Sequence, residues 1–180
     1  MSDTIAKINW RRAPRPEDSS AIRRLVRSTG FFNREEIRIA GELVEERMLR
    51  GRASGYQFLF AQVGHRLFGY ACFGPIAGTQ CGYDLYWIAV APRIQGRGLG
   101  RIILRKAEAI CLGRRQTVRI WVETSSRPQY QPTRDFYLRY GYTVDTILAD
   151  FYAPNDGKVI LSRVLSQIEN PSPPGHSSNI

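Results

Sequence analysis

A glycine-rich segment, Arg93 to Arg101, separates an apolar strand-like run from a helical pattern and constrains the fold more than any other part of the chain. Gly96, Gly98 and Gly100 alternate along it, and the missing Cβ at each lets the backbone approach another group closely. A helix that begins there directs free N–H groups and the positive end of its dipole to the same place. Three arginines of the segment add charge. The segment therefore predicts a phosphate or diphosphate site, with a ligand-free tight turn as the alternative.

Two common phosphate-binding loops do not fit this segment. A Walker A loop needs a lysine followed by serine or threonine, and the chain has no such pair. A Rossmann loop needs its third glycine where Arg101 stands, and it follows the first strand of the fold rather than a strand in the middle of the chain. Nucleotide binding of either kind is therefore not favoured.

Charge and length limit the class of protein further. The chain carries 26 Lys and Arg against 16 Asp and Glu, a formal net charge of +10, which favours a phosphorylated cofactor, nucleic acid or another anionic partner. Its 180 residues, of which 43% are hydrophobic, suffice for one domain with a core. We assign residues 1–165 to that single domain and the proline- and serine-rich residues 166–180 to a flexible tail.

Cysteine and histidine are too few and too scattered for several kinds of site. Cys72, Cys81 and Cys111 are odd in number and widely spaced, which argues against disulfides or zinc and predicts three core residues. With only His65 and His176, neither a Ser–His–Asp triad nor a histidine-rich centre is favoured, and no metal is expected. No apolar run is long enough to cross a bilayer and no signal peptide is evident, so a cytoplasmic protein without membrane contact is expected.

Hydrophobic periodicity predicts the order β-α-α-β-β-β-α-β-α-β-β, an α/β or α+β sheet with helices on its faces. A helix that begins at Pro16 should end at Gly30. Asn33 and Glu36 should cap the N-terminus of a second helix. A third helix follows the glycine-rich segment. The predicted strands are Ile5–Trp10, Tyr56–Val63, Leu67–Phe73 (broken by Gly74-Pro75), Tyr83–Val90, Val118–Val122, Tyr142–Tyr152 and Lys158–Leu165. The last helix is Gln131–Tyr140, and Pro154-Asn155-Asp156-Gly157 is predicted to join the last two strands, with Asp156-Gly157 as the turn signal.

Two motifs in this order resemble those of the GNAT superfamily of N-acetyltransferases. Arg93-x-x-Gly96-x-Gly98 resembles the family signature Arg/Gln-x-x-Gly-x-Gly/Ala. Phe136-Tyr137, followed by Gly141-Tyr142, resembles its C-terminal segment A-x-x-F-Y-x-x-x-G-F. The order of elements matches as well, and the resemblance covers about residues 5 to 165. It implies a mixed, mostly antiparallel sheet with helices on both faces.

The resemblance implies acetyl-CoA as co-substrate and assigns its contacts residue by residue. Backbone amides would bind the diphosphate at Gln95, Gly96, Arg97, Gly98, Leu99, Gly100 and Arg101. A bulge in the fourth strand would separate it from the fifth strand, and the pantetheine arm would lie in that gap. The arm would pair with the backbone of Ile88, Ala89 and Val90, and the Ile88 and Val90 side chains are expected to face the core.

The resemblance also implies the catalytic groups. A base must remove a proton from the amine, and Asp84 lies where some members carry a glutamate base. Glu123 is the rival carboxylate, or a group that binds the amine. Tyr137 matches the tyrosine that protonates the departing thiolate, and an N–H near Val90 would hold the oxyanion. Tyr130 stands where many members have a cofactor-binding asparagine, so it would stack on the cofactor or on the substrate instead.

The favoured function is direct acetyl transfer to a primary amine of an unidentified small molecule or peptide. A basic nucleic-acid-binding module is the less favoured alternative, because the chain lacks a known nucleic-acid motif. A non-catalytic acyl-CoA-binding regulator is another, against which the presence of both Asp84 and Tyr137 argues. The family often forms dimers, so a homodimer is compatible with this interpretation.

Overall fold

The structure, a computed structural model, describes residues 3–167. The predicted tail therefore lies outside the described residues, apart from Ser166 and Gln167, and so does His176. The helices of the protein are α1 (Asp3–Ala6), α2 (Pro16–Thr29), α3 (Arg34–Arg50), α4 (Leu99–Leu112) and α5 (Gln131–Arg139). Its strands are β1 (Asn9–Arg11), β2 (Gln57–Val63), β3 (Arg66–Pro75), β4 (Gly82–Val90), β5 (Thr117–Ser125), β6 (Thr143–Ala153) and β7 (Asp156–Ser166).

The seven strands form one sheet in the order β1-β2-β3-β4-β5-β7-β6. All neighbouring strands are antiparallel except β4 and β5, which are parallel. The mixed, mostly antiparallel sheet implied by the resemblance is confirmed. The strand order also leaves β1 and β6 as the two edges of the sheet.

Helices cover both faces of the central strands. In β3 every residue from Phe68 to Gly74 is buried, which requires cover above and below, because successive side chains of a strand point to opposite faces. On one face, α4 lies so close to β3 that a Cβ on Gly69 would come within 2.7 Å of Ile103 Cδ1. The α2–α3 pair covers the other face. Large aromatic side chains fill the centre of the core, among them Tyr70, Phe58, Phe60 and Phe73.

Helix termini lie where the sequence predicts them. Gly30 ends α2 with a positive φ of 75°, a conformation that costs glycine little. Asn33 and Glu36 form a reciprocal capping box at the start of α3. Gly113 ends α4, so the helix after the glycine-rich segment is confirmed.

The first and third predicted strands need correction. Ile5 lies in α1 and only Asn9–Arg11 pairs with β2, because Ile8 N donates to Ile5 O and turns the chain before the strand begins. Strand β3 does not break before Pro75, which is its last residue and pairs with Tyr83. A proline is tolerated at a strand end because the missing N–H costs no interior ladder bond there.

Four further predictions are wrong in detail. The final hairpin turns at Pro154-Asn155, with Asn155 at φ 63°, and Asp156 already belongs to β7. The buried Asp156 carboxylate accepts a hydrogen bond from Ser125 Oγ and pairs with Arg127, so it is unavailable for a turn. Strand β5 is longer than predicted, and Ser166 is a strand residue rather than part of the tail. Cys81 is exposed, because it lies in the β3–β4 loop, whereas Cys72 and Cys111 are buried.

No helix within residues 3–167 combines the length and the apolar character needed to cross a bilayer.

Candidate functional site

Strands β4 and β5 diverge and open a gap in the sheet. They pair only where Gly82–Asp84 faces Arg119–Trp121, and no pairing continues toward Val90. Opposite β3, the register of β4 slips by one residue at Tyr86, which is a β-bulge. Bulges bend a strand, so the slip accompanies the divergence. The bulge and the gap that the resemblance implies are both present.

A cleft of about 720 Å³ occupies this gap and continues to the α2–α3 loop. Of the residues singled out from the sequence, it brings together Asp84, Ile88, Ala89, Val90, Gln95, Glu123, Tyr130 and Tyr137. Ile88 and Val90 are partly buried against the core, as expected, and also line the cleft. Gln95, which belongs to the glycine-rich segment, lines the cleft where its β4 side ends.

The glycine-rich segment forms an open loop at the start of α4. Gly96 and Gly98 have φ values of 72° and 88°, and a Cβ on either would meet nothing within 4 Å. The amides of Gly96, Arg97 and Gly98 donate no hydrogen bond to any described residue. The first amides of α4, from Leu99 onward, have no intrahelical acceptor in any α-helix. The loop thus presents a row of unengaged N–H groups to an anion.

Other residues of the segment also have structural roles. The Leu99 side chain is buried in the core. A Cβ on Gly100 would lie 3.4 Å from the Phe136 ring, so this glycine lets α5 pack closely on α4. The Gln95 side-chain nitrogen, Nε2, donates to Val90 O at 2.9 Å and ties the loop to the end of β4.

The three arginines of the segment differ in their surroundings. The Arg93 guanidinium lies 4.3 Å from the centre of the Phe68 ring, and the Arg66 guanidinium lies 5.9 Å from the centre of the same ring. Arg97 and Arg101 are exposed beside the open amides. These two side chains are therefore the ones best placed to reach an anion at the loop.

Asp84 is the carboxylate of the cleft without a partner. It is half-buried, and no described residue forms a hydrogen bond or an ion pair with it. Burial, and then the nearby Glu123 charge, raise the pKa of Asp84, while Lys158 opposes the shift. A carboxylate with a raised pKa in a cleft is suited to accepting a proton.

Glu123 is engaged by Lys158, a residue that the sequence analysis did not single out. Lys158 Nζ lies 2.7 Å from Glu123 Oε2. The same ammonium lies 3.8 Å from the centre of the Phe151 ring and 5.8 Å from that of Tyr152. One carboxylate and two aromatic rings thus hold the lysine. Only the three-dimensional pairing of β5, β7 and β6 brings these residues together.

Tyr137 is buried at the floor of the cleft. Its ring packs edge-on against Phe136 and Tyr142, each at 5.3 Å between ring centres. Burial raises the pKa of Tyr137 well above its ordinary value, so the phenol stays protonated at neutral pH. Its hydroxyl forms no hydrogen bond within the described chain and is free to donate to a ligand.

Tyr130 joins the two sides of the cleft. It precedes α5, and its hydroxyl donates to Phe31 O in the α2–α3 loop at 3.1 Å. Burial raises the pKa of Tyr130 and keeps its phenol in the donating form.

Aromatic side chains form the wall of the cleft away from the glycine-rich loop. Phe32 packs on Trp87 at 4.9 Å between ring centres, and Tyr56 packs on Tyr86 at 5.4 Å. Sequence reasoning did not assign Tyr56, Tyr86 or Trp87 to the site, because aromatic residues in strands usually belong to the core. Within residues 3–167, no group of three or more His, Cys, Asp or Glu side chains is arranged to hold a metal ion.

Known proteins share both the fold and the sequence pattern. The sequence model of the GNAT acetyltransferase domain matches residues 54–144. A crystal structure of a protein assigned to the GNAT acetyltransferases, from Desulfovibrio desulfuricans, is 42% identical to this chain, with a TM-score of 0.83 over 87% of this chain and 98% of that one. No curated protein sequence matches the chain.

More distant structures share the fold alone. An aminoglycoside 6'-N-acetyltransferase in complex with coenzyme A is 17% identical, with a TM-score of 0.64 over 83% of this chain and 92% of that one. The ribosomal-protein-S18-alanine N-acetyltransferase of Escherichia coli is 16% identical, with a TM-score of 0.67 over 95% of this chain and 100% of that one.

Proposed function

Because this chain belongs to the GNAT family of acetyltransferases, as its two motifs predicted, we propose that it transfers the acetyl group of acetyl-CoA directly to a primary amine. The observation that carries the proposal is the gap between β4 and β5, which ends at a loop of unengaged amides. The coenzyme A complex of the aminoglycoside acetyltransferase with the same fold supports this donor. Acetyl-CoA supplies an acetyl group activated as a thioester.

The residues of the gap fit such a donor. Amides from Gly96 to Arg101 would hold the diphosphate, whereas the Gln95 amide, expected from the sequence to take part, already donates to Pro92 O at 3.2 Å. The space above Gly96 and Gly98 leaves room for the diphosphate. Arg97 and Arg101 would add charge-assisted hydrogen bonds. The Ile88–Val90 segment pairs with β3 on one side but not with β5, so backbone groups on its β5 side would pair with the amides of the pantetheine arm.

Asp84 is proposed as the base. An ammonium cannot attack a carbonyl, so the acceptor must lose a proton first. Glu123 already pairs with Lys158, whereas Asp84 has no partner among the described residues and its pKa is raised. A raised pKa makes a carboxylate a stronger base at neutral pH. The proton passes to Asp84 Oδ directly or through one water.

Tyr137 is proposed as the acid. Its raised pKa keeps the phenol protonated, and its hydroxyl has no competing acceptor within the described chain. This hydroxyl gives its proton to the departing sulfur, so that coenzyme A leaves as the free thiol, and the phenolate then recovers a proton from solvent. Tyr130 is proposed as a wall of the cleft rather than as a cofactor ligand, because its hydroxyl is committed to Phe31 O.

The acceptor is proposed to enter over the aromatic wall. Phe32, Trp87, Tyr56 and Tyr86 line that approach, and Asp84 lies at its end. Aromatic faces and an unpaired carboxylate together favour a protonated amine. The acidic residues along α3 contribute little, since Glu35 and Glu42 pair with Arg38, and Glu46 pairs with Arg50.

Two measurements test this function. Calorimetric titration with acetyl-CoA should show saturable binding, and thiol release over a panel of amino acids, polyamines, aminoglycosides and peptides should identify an acceptor. Binding without thiol release for any amine would favour the acyl-CoA-binding regulator. Salt-dependent RNA binding without acetyl-CoA binding would favour the nucleic-acid-binding module.

A further inference from the structure

The charge of the cleft is opposite to that of the chain. The chain carries a formal net charge of +10. The charged residues that line the cleft are four carboxylates and one arginine, namely Glu36, Asp84, Glu123, Asp156 and Arg127. Exposed charges farther away than about 8 Å are largely screened in physiological salt, so the lining groups dominate the field inside. The cleft therefore attracts cations, although the chain as a whole attracts anions.

Two of the four carboxylates are neutralised by partners in the protein. Glu123 pairs with Lys158, as described above. The buried Asp156 pairs with Arg127, whose Nε lies 3.0 Å from Asp156 Oδ2. These two pairs leave little net charge for a ligand.

The other two carboxylates, those of Asp84 and Glu36, form no ion pair with any residue of the described chain. Glu36 is partly buried in the first turn of α3, where its Oε2 accepts a hydrogen bond from the Asn33 amide at 2.7 Å. Its Oε1 accepts none from residues 3–167. A partly buried carboxylate without a counter-charge stabilises a cation placed beside it. The cleft thus offers two places for a cation, one on β4 and one on α3.

Two tyrosines lie close to Glu36. Tyr152 is half-exposed and lines the cleft. Burial raises the pKa of Tyr152 to about 12, and the charges of three cleft carboxylates, Glu36 among them, add to this shift. Burial, and then the charge of Glu36, also raise the pKa of Tyr130. We call Glu36, Tyr130 and Tyr152 the distal cation site, because an ammonium gains from a carboxylate and from aromatic rings at once.

A buried hydroxyl provides independent evidence that this cleft holds a ligand. Tyr137 is 4% exposed and lines the same cleft, and its hydroxyl has no hydrogen-bond partner in the described chain. Buried polar groups without a partner are costly, so a ligand that supplies one is expected. The volume of about 720 Å³ is also typical of a site for a small molecule.

We propose that the acceptor is an aliphatic diamine or polyamine, with its reacting amine at Asp84 and a second ammonium in the distal cation site. The inference rests on the proposed acetyl transfer. Both amines of such a molecule are protonated at neutral pH, since alkylamines have pKa values of about 10. Each unpaired carboxylate of the cleft then receives one ammonium.

The two amines have different fates in the reaction. The reacting ammonium gives a proton to Asp84, and its nitrogen then forms a bond to the acetyl carbon while the carbon–sulfur bond breaks. The sulfur takes its proton from Tyr137. The second ammonium keeps its proton and stays beside Glu36, so it contributes binding and orientation without taking part in the chemistry.

The same charges disfavour other acceptors. A monoamine would leave Glu36 without a counter-charge. A free amino acid would bring its own carboxylate into a cleft that already contains four. Repulsion of this kind contributes to specificity as much as attraction does.

Thiol release in the presence of acetyl-CoA tests the acceptor class. The probes are unbranched diamines of three to eight carbons and spermidine, each diamine compared with the monoamine of the same chain length. We expect kcat/KM for the best diamine to exceed that of its monoamine by about 10-fold or more, the scale of one charge-assisted hydrogen bond. The difference should shrink as salt is added.

Glu36→Gln tests the distal cation site. Glutamine keeps an oxygen for the Asn33 amide, so the α3 cap is retained while the charge is lost. KM for the best diamine should rise by about 10-fold or more, whereas its kcat and both constants for the monoamine should stay unchanged. Glu35→Gln is the matched control, because the adjacent Glu35 is exposed and pairs with Arg38.

Calorimetric titration with the same diamine measures its binding without catalysis and separates this inference from the proposed function. Equal kcat/KM for monoamines and diamines, or an unchanged diamine KM in Glu36→Gln, overturns the inference and leaves acetyl transfer standing. Diamine binding that is weakened in Glu36→Gln, but without thiol release, supports the distal cation site and overturns the proposed function. Neither binding nor acetylation of any diamine overturns the inference.

Discussion

Lys158 and Glu123 form an ion pair at the cleft, with 2.7 Å between Nζ and Oε2, and this pair separates the roles of two neighbouring carboxylates. Glu123 is committed to the lysine. Asp84 is left without a partner in the described chain, and its raised pKa depends on both members of the pair, since Glu123 raises it and Lys158 lowers it. The proposal of Asp84 rather than Glu123 as the base thus rests on an ion pair made by a residue of another strand.

Replacing Lys158 should change the pH dependence of catalysis. In Lys158→Met the opposing positive charge is lost, so the pKa of Asp84 rises further. The base works in its ionised form, so the acidic limb of kcat/KM should move to higher pH. The pH profile of thiol release measures this. Lys106→Met is the matched control, because Lys106 contacts Trp10 instead. A limb that stays in place would remove Asp84 from the base role.

A large side chain at Gly98 should abolish donor binding. In Gly98→Trp the indole would occupy the space that is open above the loop, and we expect acetyl-CoA affinity to fall by at least about 100-fold, the scale of a lost diphosphate contact. Calorimetry measures the affinity. Gly78→Trp is the control, because Gly78 has a similar φ of 77° and open surroundings but lies in the β3–β4 loop. Equal affinity of the Gly98 variant would contradict the loop assignment.

Removing the Tyr137 hydroxyl should slow turnover without weakening donor binding. Tyr137→Phe keeps the ring that packs on Phe136 and Tyr142, so the fold should be retained. Loss of a general acid lowers the rate by about 10² to 10⁴-fold. Single-turnover kinetics and acetyl-CoA titration separate the two effects. Tyr140→Phe serves as the control, and a Tyr137 variant with full turnover would exclude this acid.

Glu108 should make stability depend on pH. Its carboxylate is 3% exposed, and burial raises its pKa to about 7 despite Arg105 and Arg163 nearby. The folded state therefore binds a proton that the unfolded state releases near its ordinary pKa of 4.5. The contribution of this group to stability is full below that pH and is lost as pH rises to about 7, a decline of about 3 kcal/mol.

In Glu108→Gln this decline should disappear. Urea unfolding across that pH range measures the slope of stability against pH. Glu46→Gln, at an exposed pair with Arg50, should leave the slope unchanged. A Glu108 variant with the original slope would show that another group is responsible.

Features encoded by neighbouring residues were predictable from the sequence. The glycine-rich loop, the start of α4, the Asn33–Glu36 cap and the Gly30 stop each depend on residues a few positions apart. Their conformations follow from backbone freedom and local hydrogen bonds, which any fold must respect. The order of elements followed for the same reason, and it supported the family assignment together with the two motifs.

Features that depend on distant contacts were not predictable. Asp156-Gly157 has the sequence of a turn, but Ser125 and Arg127 draw Asp156 into β7 and move the turn to Pro154-Asn155. The contact of Lys158 with Glu123 and Phe151 needs three strands in register. The apolar run of β6 suggests a buried strand, because sequence alone does not show that it ends at a sheet edge.

Because β4 and β5 diverge, the thermal stability of the protein should depend on the concentration of the ligand proposed to fill the gap. Where the two strands diverge, they form no hydrogen bonds with each other. Without a ligand, the protein therefore lacks the stabilisation that such bonds would give to the middle of its sheet. A ligand that fills the gap acts as a substitute strand, and at 100 times its dissociation constant it adds about 2.7 kcal/mol to the unfolding free energy. In a cell depleted of that ligand, the same chain would be easier to unfold and to degrade.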